Sequence, residues 1–562
     1  MVRHTGSTSV AAALGVASGL FLDVVIAASF GAGVESDAFF VAARIPLGIA
    51  AILLVGANQA LVPAISTWLV QRSQHETWRL TTATMTATLL LGTVVAVVGA
   101  LLSAPLIAVT APGLDEATAS LAVQLSRILF WVVPLVAVAE VLRALLNALH
   151  SFVAPALMHV VLNGAAAAIV ISGGANAIEV VVWAYLAGAV LQAVFLLVVA
   201  LRRGYRPVGG RLRDPEVFAV ARLSVRPLLG AALNPLARVA EQIFISYLPP
   251  GSITILNYGS RLIHAIGGSV LFRSVIVVLL PRLTRATAEG DTSEVRGLTR
   301  LGVQVMLGVS VPLTALMAIL AGPAVLAVFE RRNFDAADAR LLGEVLAVFA
   351  ISLIGSAVQR AFLAPFFARL NTRVPLRNTI YGVLANLALI PPFLAIAGDD
   401  RDAVIAVALA YSLAQYVNLV HAGVRMRRDL GIGLPGIGAS LVRLLVAGAA
   451  MSGVLIGGRL ALRPEEATSG WLGLLLTAVI GLVGLGVFVL VALGLGLGDV
   501  ERRFLRLRRK APPGTVPATA LDPTGLPEAD DASDPGPQLG PGQGSRPTEP
   551  GPGSPDERPA AT

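Results

Sequence analysis

Long apolar runs separated by short polar loops dominate the chain from its start to about residue 497. A helix needs roughly 20 consecutive apolar residues to cross a bilayer core. On that rule the pattern predicts 14 spans. They fall at about 8–30, 38–66, 80–104, 119–148, 153–173, 178–201, 226–248, 252–281, 297–321, 341–366, 374–397, 402–424, 438–460 and 470–496. The second and eighth runs are longer than the minimum, which allows tilt or bending.

The loops test that count. With the N-terminus cytoplasmic, alternate loops are expected to be rich in arginine. They hold Arg72 and Arg79; Arg202, Arg203, Arg206, Arg211 and Arg213; Arg282, Arg285, Arg296 and Arg300; Arg369, Arg373 and Arg377; Arg425, Arg427 and Arg428. The intervening loops carry Glu35 and Asp37, Asp115 and Glu116, Glu179, then Asp399, Asp400 and Asp402, and only the 330–340 loop mixes signs. A miscount by one would scramble this alternation. An even number of spans in a bacterial inner membrane, with both termini cytoplasmic, is therefore expected. The opening MVRHTGSTSV runs into apolar sequence without an A-x-A-type cleavage site, so it reads as part of the first span.

Composition agrees with the pattern. Of 562 residues 56% are hydrophobic and 14% charged, with a mean hydropathy of +0.78, the profile of a polytopic membrane protein. The absence of cysteine excludes a disulfide framework, a thiol nucleophile and a cysteine-ligated metal. The net charge of +8 comes almost wholly from arginine and suits loop anchoring rather than nucleic-acid binding. Residues 511–562 are rich in Pro, Gly, Asp and Ser, cannot bury a core, and are expected to be a disordered cytoplasmic tail.

The chain also repeats itself. Arg44 and Arg261 lie 217 residues apart, as do Asp37 and Thr254; Pro63 and Pro281 differ by 218, as do Pro105 and Pro323. LDEATASLA at 114–122 resembles FDAADARLL at 334–342, and Arg143 pairs with Arg360 at 217. A nearly constant offset indicates one duplicated unit of six spans. Because six is even, both copies enter from the same side, and such parallel repeats place a substrate path between them. The expected fold is all-α: two pseudo-symmetric six-helix lobes, 1–205 and 206–430, two extra helices within 431–510, and the tail.

Charges inside spans are costly and mark function. Asp23 sits well inside span 1, and adding 218 gives Glu241, an acid at the same place in the second copy. Glu241 shares a helix face with Arg238 and Asn234, so an internal Arg238–Glu241 pair competes with a role in charge coupling. Arg44 and Arg261, one per copy, offer planar guanidinium forks that match phosphate oxygens. Both are candidate ligands for a pyrophosphate head group, with Arg273 a third; snorkelling to a headgroup, or pairing with a carboxylate such as Asp37, is the alternative for each. The sequence holds no GxxxxGK[ST] loop, HExxH helix or GxSxG elbow, so transport is favoured over catalysis, with no metal site and no cofactor.

FGAGVESDAFFVAARIP, followed by NQALVPAIS, resembles the second-span signature of the MurJ/MviN-type lipid II flippases. SYLPPGSITILNYGSRLI, LLPRLTRATAEGD, FERRNFDAADARL and ARLNTRVPLRNTI continue the likeness in register over about residues 8–425. The resemblance implies the multidrug/oligosaccharidyl-lipid/polysaccharide exporter fold and alternating access around a central cavity. It matches Asp37 to the acid of the SDAFF motif, Arg261 to a cavity arginine and Asp23 to a first-span acid. Leu22 and Ala28 stand where the family has arginines, Arg44 where it commonly has lysine, and residues 47–55 replace an arginine pair with an apolar run. The implied activity is flipping of lipid II, or of a related polyprenyl-pyrophosphate-linked glycan, to the outer leaflet, driven by Na+ or H+ coupling or the membrane potential. The lipid bilayer and envelope-synthesis proteins are the other expected partners. A cation-coupled exporter of small molecules and a non-transporting envelope-assembly scaffold are the alternatives.

Overall fold

The computed structural model describes residues 2–173, 177–210, 213–268, 271–434 and 436–497. The expected tail, 511–562, lies outside the described residues. Those described are helical; their one β feature is an isolated bridge between Arg331 and Phe334.

The first half of the chain contains α1 (Val2–Phe30), α2 (Val34–Gly56), α3 (Val62–Gln71), α4 (Gln74–Leu101) and α5 (Ser103–Thr110). It continues with α6 (Glu116–Leu129), α7 (Val132–Ala148), α8 (Val153–Gly173) and α9 (Glu179–Arg202). The second half runs through α10 (Pro215–Ile245), α11 (Ser252–Gly268), α12 (Leu271–Ala288), α13 (Thr292–Phe329), α14 (Ala336–Ala350) and α15 (Ser352–Ala368). Then come α16 (Arg373–Ile396), α17 (Asp400–Leu430), α18 (Ile437–Leu462) and α19 (Gly470–Gly494).

Helices occupy all fourteen stretches where spans were expected, but only twelve of the described ones are long and apolar enough to qualify as crossings. The stretch of α10 falls short because its charged and polar residues lower its hydropathy, whereas α11 and α12 are separated by residues 269–270, which lie outside the described residues. These stretches are also the ones that carry Arg238, Glu241 and Arg261.

Several loop acids that read as topology signals prove to be helix caps. Asp115, Asp335 and Asp399 each accept a hydrogen bond from the backbone N–H three residues on, satisfying a donor that the first helical turn leaves open. Thr118 donates to Asp115 through both its N–H and its hydroxyl, which holds that carboxyl below the usual range.

The duplication is visible in packing. α8 against α9 corresponds to α16 against α17, α2 against α6 to α11 against α14, and α4 against α7 to α13 against α15. α18 and α19 pack on each other and on α13, outside the repeat. One equivalence fails. α1 lies along α8, whereas its counterpart α10 touches α16 only lightly and packs instead along α2.

Small residues permit both contacts. Gly15 and Gly19 of α1 face Ala156, His159 and Asn163 of α8. On α2, a Cβ at Gly48 would sit 3.4 Å from the Pro235 Cβ, and one at Gly56 only 2.5 Å from a Leu228 methyl. Close helix approach through such positions replaces the hydrophobic drive that lipid cannot supply.

Candidate functional site

The two halves meet where the acidic loops lie. Asp37, in the first turn of α2, reaches across to the start of α11. Its carboxylate accepts from the Gly251 N–H at 2.6 Å, the Thr254 N–H at 2.8 Å and the Thr254 hydroxyl at 2.6 Å. It caps a helix of the other half and is buried there. Two glycines make the approach possible. Gly31 (φ 68°) places its hydrogen against the Asn333 carbonyl, 2.4 Å from where a Cβ would stand, and Gly251 (φ 93°) does the same against Ala32 at 2.8 Å. Asn333 then donates its N–H to the Ala28 carbonyl and its side-chain amide to that of Ser29.

One layer deeper, Arg261 of α11 forms an ion pair with Asp23 of α1. Its guanidinium also lies over the Phe40 ring, 5.5 Å from the centroid. Asp23 is 3% exposed, and its partner comes from the other half of the chain. An arginine kept charged by a buried carboxylate is the cheapest way to hold either group in low dielectric. Beside Asp23, Leu22 is fully buried among apolar neighbours.

The equivalent arginine behaves differently. Arg44 donates its Nε to the Gln242 side chain at 2.7 Å, one residue beyond the acid that matches Asp23. Arg44, Arg238 and Glu241 all line a cavity of about 460 Å³, bounded mainly by α10, α11, α12, α15, α16 and α17 of the second half, with Arg44 reaching it from α2 and Phe349 from α14. Among the described residues no Arg238–Glu241 ion pair forms, so the internal pairing weighed from the sequence is absent. Glu241 instead accepts from the Asn386 amide at 3.5 Å. The structure therefore separates the expected residues into two groups. Asp23, Asp37 and Arg261 tie the halves together, while Arg44, Arg238 and Glu241 face open space. Arg273 belongs to α12, and its side chain lies outside the described residues.

Sequence reasoning missed part of the lining. Arg360 joins the cavity, as do Asn234, Asn257, Asn386, Gln415 and Asn418. Among the described residues the charged lining is three arginines against one glutamate. The side-chain oxygens of Asn386 and Asn418, two lining residues, are buried without a hydrogen-bond partner. The signal was present: amide residues inside otherwise apolar spans are expensive and cluster on faces that bind something polar. Arg360 was noted only as the repeat partner of Arg143. Arg143 is buried against Glu140 at 2.5 Å, but the residue three before Arg360 is Ala357.

Residues 26–468 match the family model described as lipid II flippase MurJ. A probable lipid II flippase MurJ of Rhizobium tropici is 28% identical over 532 residues, spanning 90% of this chain and 96% of the relative. The lipid II flippase MurJ of Burkholderia cenocepacia is 28% identical over 378 residues, or 65% and 73% of the two chains. Among solved structures, one titled as lipid II flippase MurJ in an inward closed conformation superposes with a TM-score of 0.68. It has 18% identity and covers 86% of this chain and 98% of the other. An inward-facing multidrug-resistance transporter of the MATE family gives 0.58 at 16% identity, covering 73% and 94%. These two likenesses concern the fold. The family match spans most of the chain, and the protein belongs to the MurJ family of multi-pass membrane proteins.

Proposed function

We propose that the protein carries lipid II, or a closely related polyprenyl-pyrophosphate-linked glycan, from the cytoplasmic to the outer leaflet of the bacterial inner membrane by alternating access. The observation that carries this reading is the cavity in which Arg44, Arg238 and Arg360 outnumber Glu241. A pyrophosphate brings at least two negative charges, and guanidinium groups pair with its oxygens through two parallel hydrogen bonds each. The amide side chains beside them suit the hydroxyl and peptide groups of a glycan. The relatives' names as lipid II flippases support the same substrate.

On this reading the arginine-rich loops lie in the cytoplasm, as do both termini. The contacts of Asp37, Arg261 and Asn333 then close the outer side, and the cavity receives its cargo from within. Glu241, facing the arginines, competes with the diphosphate for them, so Na+ or H+ binding there would strengthen the hold and its release would weaken it. The membrane potential contributes about 2.3 kcal/mol per charge per 100 mV.

Fluorescent lipid II in proteoliposomes tests the assignment. Each charge-assisted hydrogen bond is worth roughly 1.5–3 kcal/mol, so the Arg44→Ala/Arg238→Ala double variant should lose at least about tenfold in flipping rate. It should also fail to rescue a strain depleted of its own lipid II flippase. Unchanged flipping by a folded double variant would remove the cavity assignment.

A further inference from the structure

A second feature lies away from the cavity, on the outer flank of the first half. The wall there is notched where α6 ends at Leu129 and α7 starts at Val132. The break has a local cause. Pro134 cannot donate to the Phe130 carbonyl as a helix interior requires. The Phe130 ring also turns inward onto Gly99, where a Cβ would stand 2.2 Å from it. With Phe130 inward, Trp131 is turned outward and is 43% exposed.

The notch opens into a groove of about 760 Å³ between the ends of α4 and α9, lined by Leu101, Arg127, Ile128, Trp131, Trp183 and Leu186 with Ala100. Among the described residues Arg127 is its one charged lining residue; it is exposed and sits in the last turn of α6, just before the break that carries Trp131. Its lining neighbours Leu101 and Trp183 stand at the last residue of α4 and four residues into α9, the acidic-loop ends of both helices, which puts Arg127 near the interface. Among the described residues its guanidinium has no hydrogen-bond or ion-pair partner. An arginine in the last turn of a helix ordinarily answers the end carbonyls, and this one does not.

A permanent cation at this depth, beside two exposed tryptophans, needs an anion that arrives with apolar surface attached. Protein carboxylates do not supply it. Tryptophans at a membrane interface sit at headgroup level. We propose that the groove is a binding site for an anionic glycerophospholipid of the leaflet on the acidic-loop side. Arg127 holds the phosphate, and the acyl chains run along Trp131, Trp183, Leu101 and Leu186. The net charge of the site with its lipid is then zero, which removes the cost of the bare guanidinium. The guanidinium fork fits the two free oxygens of a phosphodiester. A zwitterionic lipid would bring its own ammonium to the groove and lose that advantage.

Native mass spectrometry of the full-length protein, titrated with phosphatidylglycerol, reads the site directly. The wild type should retain one more phosphatidylglycerol than Arg127→Gln, with roughly tenfold tighter apparent binding. Arg127→Lys should recover part of the difference. Phosphatidylglycerol brominated on its acyl chains should quench tryptophan fluorescence more in the wild type than in Arg127→Gln. Because Arg127 is exposed, the variants should fold and flip as the wild type does. Equal retention by the wild type and Arg127→Gln, or equal wild-type affinity for phosphatidylglycerol and phosphatidylcholine, overturns the proposal.

Discussion

Arg261 and Arg44 occupy equivalent places in the two copies of the repeat and have opposite fates. Arg261 is committed to Asp23, a carboxylate of the other half. Arg44 meets Gln242, a neutral amide one residue past the acid that matches Asp23. That displacement frees Glu241 and leaves a full charge on Arg44 facing the cavity. The helices that carry these acids diverge in the same way. α1 stays with α8 of its own half, while α10 has left α16 and lies on α2. A duplicated unit thus yields one sealed seam and one open seam, and the open one is where the cavity lies.

The strongest way to break this comparison is to lock both seams. The chain has no cysteine, so engineered pairs stand alone. Ideal Cβ positions are 3.4 Å apart for Gly48 and Pro235, and 3.7 Å for Gly15 and His159, both close to the roughly 3.8 Å of a disulfide. Oxidising Gly48→Cys/Pro235→Cys should pin α10 to α2 and stop flipping until a reductant is added. Oxidising Gly15→Cys/His159→Cys should leave flipping nearly unchanged, since α1 and α8 are packed along each other within one half. Equal inhibition by both locks would show that α10 is no more mobile than α1.

A second equivalent pair sharpens the contrast. Arg143→Ala leaves Glu140 buried without its cation, which costs about 3–5 kcal/mol and should show as a marked fall in thermal stability. Arg360→Ala, at the matching place in the second copy, removes a cavity cation instead. It should lower flipping with a smaller change in melting temperature. A larger stability loss for Arg360→Ala would reverse the assignment of the two.

The smallest expected effect is at the closed side. Asp37→Ala removes the trans cap and leaves the Gly251 and Thr254 N–H groups without partners, while the Thr254 hydroxyl keeps Ser36, at a cost of about 2–3 kcal/mol. Asp37→Asn keeps an acceptor and should lose less. A fluorescence melt of the purified variants separates the two. Equal melting temperatures for Asp37→Ala and wild type would mean that the cap is not what joins the halves.

The sequence alone determined the all-helical class, the alternation of loop charge, the two-copy organisation and the places where charge enters a span. Each follows from a local rule: about 20 apolar residues per crossing, a cap before a helix, a constant offset between copies. Even the stretch of α10, which falls short as a simple span, shows Arg238 and Glu241 in the sequence. What the sequence left open was partnership. Nothing local tells Asp23 to choose Arg261, Asp37 to cap α11, or Arg44 to take Gln242 rather than Glu241. Those choices join residues roughly 200 positions apart. They depend on which glycine faces which proline or leucine, a packing property that exists only once the helices are assembled. The resulting geometry divides charges that look equivalent in sequence into those that hold the halves together and those that line the cavity.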